Sequence, residues 1–169
     1  MTWRIGLSTR ADRVADPDDP RPDRHGPDPR LRAVVDADCL IAETLAASGA
    51  ASRLLDLWRD GAFEMIACPQ LVGEVRKALL DKRIATRYGI TRAEVDEFCR
   101  RIEEESIWLA DPIDPPRAVP ADRGDDYLIK LASDSGADAL VTRDHHFDGI
   151  AIPGLEIVPP RVIVARLVS

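Results

Sequence analysis

The chain is organised around the stretch AVVDADCLI, which spans residues 33–41. Its first three residues are small or β-branched and apolar, a pattern that predicts a buried parallel strand. The apolar run stops at Asp36, and leucine and isoleucine at helical spacing predict a helix directly afterwards. Open parallel sheets bind their ligands at the carboxyl ends of the strands, so Asp36 is a candidate site residue. The alternative is that Asp36 or Asp38 only caps the helix, which is the commoner role of such aspartates.

The composition is that of a soluble globular protein with one domain. The chain has 169 residues, of which 31% are charged and 45% hydrophobic, and this length is enough to bury a core. No stretch has the apolar length of a membrane span, and the N-terminus lacks the apolar core of a signal peptide. Cys39, Cys68 and Cys99 are widely spaced within apolar patterns, which predicts reduced core thiols and a cytoplasmic location.

The N-terminal 30 residues differ from the rest of the chain. Residues 12–29 are dominated by Asp, Arg and Pro, including five prolines, and contain hardly any apolar residue. Such a segment cannot bury enough surface to offset the entropy lost on ordering. We therefore predict a disordered tail over residues 1–30 and a single folded domain over residues 31–169.

From residue 31 onward, strand and helix patterns alternate along the chain. Strands are predicted over residues 33–35, 63–68, 107–110, 139–142 and 155–158, and helices over residues 38–48, 50–60, 69–80, 91–104 and 127–132. The helix over 91–104 has the clearest start, since Thr91 and Glu94 match a capping box. Residues 162–167 fit either a last helix or a strand, because β-branched residues are frequent there. The alternation predicts a three-layer α/β/α sandwich with a central parallel sheet.

Four acidic positions occupy comparable places in this pattern. Asp36 and Asp144 follow buried strands, whereas Glu74 and Asp125, or its neighbour Asp126, lie in the first turns of helices. Glu74 taken alone could equally serve the helix dipole. In a parallel sheet with helices on both faces, all four would meet at one edge. Carboxylates packed together repel one another unless a cation compensates them, and Mg²⁺ or Mn²⁺ suits oxygen ligands. The residues alone therefore favour metal-assisted phosphoryl transfer or phosphodiester hydrolysis.

Four motifs along the chain resemble those of PIN domains, and in particular those of VapC-like toxins from toxin–antitoxin systems. They are VVDADCLI at residues 34–41, LVGEV at 71–75, DDYLIKLA at 125–132 and LVTRD at 140–144. The resemblance covers residues 31–165 and implies a parallel α/β/α fold and an Mg²⁺- or Mn²⁺-dependent endoribonuclease. It also implies a protein that is often a homodimer and is inhibited by a partner antitoxin.

The resemblance assigns roles to residues by motif position. It implies an acidic quartet of Asp36, Glu74, Asp125 and Asp144. Within this quartet it gives the metal to Asp36, Asp125 and Asp144, with Asp36 and Asp125 as the principal ligands.

The motifs depart from the family pattern or leave it ambiguous at three places. Asp38 stands where the family usually has Asn or a hydroxyl residue, and it either binds a second metal ion or only caps the helix. The doublet Asp125–Asp126 permits two registers; Asp125 is preferred because it lies seven residues before Ala132, as in the family's helix, which leaves Asp126 beside the site. His145 and His146 match no motif, and proton transfer, phosphate contact and an exposed turn are all open to them.

A basic segment interrupts an otherwise acidic chain. The net charge of −7 argues against a general nucleic-acid coat protein, which would be basic. Between Arg76 and Arg92, however, six basic residues accompany one acid, a local excess of five positive charges. The segment is either a solvated helix face and loop or a rim that contacts RNA phosphates, with Lys82, Arg83 and Arg87 as the candidate contacts.

Two other functions fit parts of the pattern. The aspartates Asp36 and Asp38 also resemble the nucleophile motif of haloacid-dehalogenase phosphatases, in which Asp36 would attack phosphate and Asp38 would be its acid/base. Against this, no lysine is placed to support a phosphate, because all three lysines lie in helical segments: Lys77, Lys82 and Lys130. The second alternative is a non-catalytic PIN-like interaction module, against which the complete quartet argues.

Overall fold

The computed structural model describes residues 30–46 and 50–169. The predicted disordered tail over residues 1–30 therefore lies almost wholly outside the described residues. The division of the chain into that tail and a domain over residues 31–169 stays a prediction.

The centre of the fold is a sheet of five strands in the described part of the chain. They are β1 (Arg32–Val35), β2 (Glu64–Ala67), β3 (Ile107–Trp108), β4 (Ala139–Val141) and β5 (Glu156–Val158). Their order in the sheet is β3-β2-β1-β4-β5, and every neighbouring pair is parallel. Together with the helices described next, this confirms the predicted three-layer α/β/α sandwich with a central parallel sheet.

Seven helices occur within the described residues. They are α1 (Ala37–Leu45), α2 (Ala50–Arg59), α3 (Pro69–Leu79), α4 (Lys82–Tyr88), α5 (Arg92–Glu105), α6 (Asp126–Asp134) and α7 (Pro160–Leu167). Short 3₁₀ helices, Arg123–Asp125 and His145–Phe147, precede α6 and follow β4. The capping box of Thr91 and Glu94 is formed at the start of α5. The last segment, for which the sequence permits two structures, is helical.

The central strand β1 explains the opening sequence pattern. Its residues Ala33, Val34 and Val35 are fully buried, because helices cover both faces of a parallel sheet and the strand has no solvent-facing side. The chain builds β2 and β3 on one side of β1, and β4 and β5 on the other. The boundary between β1 and β4 is therefore the point where the strand order reverses, and ligands of such sheets bind there.

Two helix predictions need correction. Helix α1 ends at Leu45, three residues before the predicted end. The sequence pattern places Lys82 in a helical segment but predicts no separate helix over α4; this helix forms with Asp81 as its cap and ends at Gly89, whose φ of 64° is left-handed. Helix α4 has no fully buried residue and packs on the core through half-buried Ile84 and Tyr88. Its apolar periodicity is therefore too weak to be recognised.

The core joins both helical layers to the sheet. Its largest fully buried side chains include Tyr127, Phe63 and Phe98. All three cysteines are buried and free, as the sequence predicts. In the part of the chain that the structure describes, no helix has the length and apolar character needed to span a membrane.

Candidate active site

Two of the four predicted acids lie at the carboxyl ends of the neighbouring strands β1 and β4. Asp36 directly follows β1, and its backbone N–H donates to the carbonyl of Val141, the last residue of β4, at 2.9 Å. Its side chain is 5% exposed. Asp144 lies in the segment that leaves β4 and is half-buried. The parallel pairing of β1 with β4 thus brings together two residues that are 108 positions apart in the sequence.

A buried threonine ties these two acids together. The Thr142 hydroxyl donates to Asp36 Oδ2 at 2.8 Å and accepts from the backbone N–H of Asp144 at 3.0 Å. Sequence reasoning did not single out Thr142 as a site residue. Its position in the sequence could have indicated this role, because Thr142 lies at the end of an apolar strand, two residues before Asp144, and a buried hydroxyl there needs a hydrogen-bond partner.

Asp36 also caps the helix that follows it. Its Oδ1 accepts from the backbone N–H of Asp38 at 3.4 Å, and it is the N-cap of α1. Asp38 is exposed in the first turn of α1, so the expectation that Asp38 caps this helix is wrong. The two oxygens of Asp36 have different partners, since Oδ1 caps the helix and Oδ2 accepts from Thr142. Burial raises the pKa of Asp36 despite the hydrogen bond from Thr142, and the charges of Asp38 and Asp144 raise it further.

Glu74 approaches the same edge from α3. It lies in the second turn of that helix, half-buried, and its Oε2 accepts a hydrogen bond from the Tyr127 hydroxyl at 2.7 Å. Burial raises the pKa of the Glu74 carboxyl, and the charges of Asp36 and Asp38 add to this effect. These charges act on Glu74 only because its carboxylate lies close to the two aspartates.

The doublet Asp125–Asp126 divides its two side chains between different environments. Asp125 ends the 3₁₀ helix that precedes α6, and its pKa is raised to about 7 by burial and by the charges of Asp36, Asp122, Asp144 and Glu74. Every other member of the predicted quartet therefore acts on Asp125. Burial and mutual repulsion are the environment that the sequence predicts for a metal-binding carboxylate.

The Asp126 side chain points instead to residues 117–119, in the segment between β3 and α6. Its side chain is 1% exposed and accepts from the backbone N–H groups of Ala118 at 3.0 Å and Val119 at 2.7 Å. Arg117 completes the set with an ion pair at 3.2 Å, and these donors lower the pKa of Asp126. Asp126 thus fixes the chain before α6, and this contrast supports the choice of Asp125 for the quartet.

A further group of possible ligands borders the quartet. The side-chain ligand atoms of Asp122, Asp125 and His146 lie within 4.8 Å of one another. Asp122 accepts from the backbone N–H of Gly124 at 2.7 Å, and a Cβ at Gly124 would come within 3.0 Å of that carboxylate oxygen. The sequence reading gave Asp122 no role and left His146 undecided.

The two neighbouring histidines have different surroundings. His146 Nδ1 lies 3.4 Å from Asp144 Oδ1, at the edge of the site. His145 instead lies 3.1 Å from Asp148 with its side chain 93% exposed, which is the arrangement of a surface turn. Of the pair, only His146 is placed where it could take part in chemistry at the acids.

The candidate RNA contacts lie at a distance from the acids. Lys82, Arg83 and Arg87 are exposed on α4, and none of the three forms an ion pair within the described residues. Helix α4 follows the C-terminal end of α3, and that end is about 7.5 Å beyond Glu74 along the helix axis, at 1.5 Å per residue. Lys82, Arg83 and Arg87 therefore lie on the helix that follows the one carrying Glu74, and their contact with RNA stays a prediction.

The donor set as a whole suits a hard divalent cation. It consists of carboxylates from four separate elements, and burial and mutual repulsion raise the pKa of three of them, Asp36, Glu74 and Asp125. A divalent cation would remove that repulsion, and Mg²⁺ and Mn²⁺ prefer oxygen ligands. Within the described residues, the ligand atoms that lie within 4.8 Å of one another belong to Asp122, Asp125 and His146, so of the three predicted ligands the structure places Asp125 in such a group. Asp36 and Asp144 act on Asp125 through their charges.

Comparisons with known proteins agree with the fold. A family model described as PIN domain matches residues 32–146, a range that contains all four predicted acids. No curated protein matches the chain significantly. A solved structure, the crystal structure of PAE2754 from Pyrobaculum aerophilum, is similar to this chain with a TM-score of 0.56 and 23% sequence identity. The match covers 82% of this chain and 90% of that chain, and at this identity the likeness shows the fold alone.

The family match spans well over half of the chain and includes β1, β4 and the acids at their carboxyl ends. PIN domains are generally metal-dependent nucleases, and the acidic cluster described above is the kind of site that such hydrolases need. On these grounds the chain belongs to the PIN domain family.

Proposed function

We propose that this protein is an Mg²⁺- or Mn²⁺-dependent endoribonuclease, the VapC-like toxin of a toxin–antitoxin pair, acting in the cytoplasm. One observation carries the proposal at the level of chemistry. The pKa of Asp125 is raised to about 7 by burial and by the charges of four neighbouring carboxylates, Asp36, Asp122, Asp144 and Glu74. Packed carboxylates of this kind repel one another unless a proton or a cation compensates them, and a divalent cation with oxygen ligands would do so.

The four acids divide the work in the proposed reaction. Asp36, Asp125 and Asp144 hold the cation, with Asp36 and Asp125 as its principal ligands. A bound divalent cation would lower the pKa of a water molecule and neutralise charge that develops on the phosphate. Glu74, which the Tyr127 hydroxyl fixes in place, orients the attacking water and accepts its proton.

The proposal extends to the partners of the protein. RNA phosphates contact Lys82, Arg83 and Arg87 on α4, which are exposed and can neutralise phosphate charge. The active protein is a homodimer, and a protein antitoxin inhibits it. A neighbouring reading frame for a small DNA-binding protein would identify that antitoxin, and its co-expression should suppress the ribonuclease.

The test is cleavage of single-stranded RNA by the purified full-length protein. Cleavage should require Mg²⁺ or Mn²⁺, stop in excess EDTA and return when the metal is restored. The variant Asp36→Asn should be inactive under every condition, which excludes a contaminating ribonuclease. Undiminished cleavage in excess EDTA would contradict the proposal.

Two measurements separate this function from its alternatives. A haloacid-dehalogenase-like phosphatase would form a beryllofluoride adduct at Asp36, whereas the proposed nuclease would not. Such a phosphatase would also need a lysine that supports the phosphate, and this chain offers none in a suitable place. Lys130 pairs with Asp134 at 2.7 Å, and Lys77 and Lys82 lie on α3 and α4. A non-catalytic PIN-like module with a disabled site would show no Mn²⁺ binding in a calorimetric titration.

A further inference from the structure

Tyr127 is a buried residue of the motif at residues 125–132, and the resemblance assigns it no role. It lies in the first turn of α6 and is 2% exposed. Its hydroxyl crosses from α6 to α3 and donates to Glu74 Oε2 at 2.7 Å. The direction of this hydrogen bond is fixed, because an ionised carboxylate can only accept.

This hydrogen bond links two halves of the acidic quartet. Tyr127 follows Asp125 by two residues, so its ring and the Asp125 carboxylate are carried by the same turn of backbone. Its hydroxyl therefore sets the position of Glu74 relative to Asp125. On the other side of the site, the Thr142 hydroxyl joins the Asp36 carboxylate to the backbone N–H of Asp144.

Glu74 needs such a restraint more than the aspartates do. Asp36 is fixed by its place at the end of β1 and by two hydrogen bonds. Glu74 has a longer side chain with more rotatable bonds, and the charges of Asp36 and Asp38 act on it. Tyr127 is the stronger of two side-chain donors to Glu74, the other being Gln70. Without the Tyr127 donor, repulsion would favour rotamers that turn Glu74 away from the other acids.

We propose that Tyr127 is a positioning residue of this site, whose hydroxyl holds the Glu74 carboxylate beside Asp125 in the place that the divalent cation and the attacking water require. This inference rests on the proposed function for its kinetic part. Its metal-binding part rests on the cation site proposed for these acids and does not depend on which substrate is cleaved. Tyr127 is buried and acts through Glu74, so it does not touch the RNA.

The test compares the full-length protein with Tyr127→Phe, which keeps the buried ring and removes only the hydroxyl. Mn²⁺ binding is measured by calorimetry, independently of activity. Glu74 is not one of the proposed ligands, but its carboxylate adds negative charge beside the cation. Its displacement should therefore raise the dissociation constant for Mn²⁺ and lower kcat at saturating Mn²⁺, each by about 10-fold or more, as is usual for groups just outside the metal ligands. KM for RNA should stay within about twofold, because no RNA contact is removed.

Tyr88→Phe is the matched control. Tyr88 is the other tyrosine of the chain; it lies on α4, and its variant should bind Mn²⁺ as the unaltered protein does. A double-mutant cycle adds a second measurement. If Tyr127 acts through Glu74, the variant carrying both Tyr127→Phe and Glu74→Gln should bind Mn²⁺ no more weakly than Glu74→Gln alone.

Unchanged Mn²⁺ affinity in Tyr127→Phe overturns the inference, whether or not its melting temperature falls, because it leaves Tyr127 only a structural role. Additive losses in the double-mutant cycle overturn it as well. If the unaltered protein binds Mn²⁺ but cleaves no RNA, the proposed function fails. The calorimetric comparison still decides the role of Tyr127 in that case.

Discussion

At the scale of single residues, the adjacent aspartates Asp125 and Asp126 carry different tasks. Burial and neighbouring carboxylates raise the pKa of Asp125 to about 7, whereas backbone N–H donors and Arg117 lower the pKa of Asp126. The first side chain is destabilising when ionised without a cation, and the second is stabilising when ionised. Asp125 therefore belongs to the proposed site, whereas its neighbour Asp126 stabilises the fold.

Substitution with asparagine should expose this separation. Asp125→Asn should reduce cleavage at least about 100-fold, as expected for loss of a principal metal ligand, and should leave the melting temperature of the metal-free protein unchanged or higher. Asp126→Asn should keep most of the activity and lower the melting temperature, because a charged acceptor of three donors is lost. Cleavage assays and thermal melts in EDTA measure both effects. An inactive Asp126→Asn with an active Asp125→Asn would show that the register is wrong by one residue.

Glu43 on α1 makes the metal-free fold sensitive to pH. Its carboxyl is fully buried, its Oε1 lies 3.3 Å from the Arg143 guanidinium, and its Oε2 has no hydrogen-bond partner within the described structure. Burial raises its pKa from 4.5 to about 7, although Arg143 opposes this. Between these two values the unfolded chain releases a proton that the folded protein keeps, so the free energy of unfolding falls as pH rises.

Glu43→Gln should flatten this dependence. In EDTA, the unaltered protein should lose up to about 3 kcal/mol more stability than the variant between pH 4.5 and pH 7, at about 1.4 kcal/mol per pKa unit. Urea denaturation across this pH range gives the two curves. Glu103→Gln, at an exposed position of α5, is the control and should follow the unaltered protein. Parallel curves for Glu43→Gln and the unaltered protein would mean that Glu43 does not hold a proton in the fold.

At the scale of elements, α4 provides exposed positive charge and little packing. None of its residues is fully buried, and the net charge of the whole chain is −7. Replacing Lys82, Arg83 and Arg87 with Gln should raise KM for RNA several-fold and weaken its salt dependence, leaving kcat nearly unchanged. Steady-state cleavage at several salt concentrations measures this.

A charge-matched control removes three cations that already pair with carboxylates: Arg100, Lys130 and Arg166. This triple Gln variant changes the net charge equally and should leave KM close to that of the unaltered protein. A fall in kcat with constant KM in the α4 variant would place α4 in the active site instead of along the RNA path.

The elements that the sequence predicts are those with a strong local signal. The buried strands β1 and β4 and the capped helix α5 follow from apolar runs and a capping box. Helix α4 could not be predicted, because its half-buried Ile84 and Tyr88 leave no apolar stripe. The sequence singles out the four acids by their places after strands and near helix starts, and their role in the site stays a prediction. Their ties through Thr142 and Tyr127 could not be predicted, since both hydrogen bonds join residues distant in sequence.

At the scale of the whole molecule, the acidic cluster joins elements from both halves of the chain. Asp36 and Glu74 come from the first half, and Asp125 and Asp144 from the second. Their repulsion opposes the packing of α3 and α6 around β1 and β4, and it is present only in the folded state, where the four lie close together. A cation bound among them therefore stabilises the complete fold and not one local segment.

Metal should accordingly raise the stability of the entire domain. At a free Mn²⁺ concentration 100 times the dissociation constant, the gain is about 2.7 kcal/mol, and for a chain of this length the melting temperature should rise by about 5–10 °C. Asp36→Asn should be at least as stable as the unaltered protein in EDTA, because one repelling charge is removed, and should gain little from Mn²⁺. Differential scanning calorimetry of both proteins, with and without Mn²⁺, gives the four values. An equal rise in both proteins would show that Mn²⁺ binds elsewhere, and a less stable Asp36→Asn in EDTA would show that capping of α1 by Asp36 outweighs the repulsion.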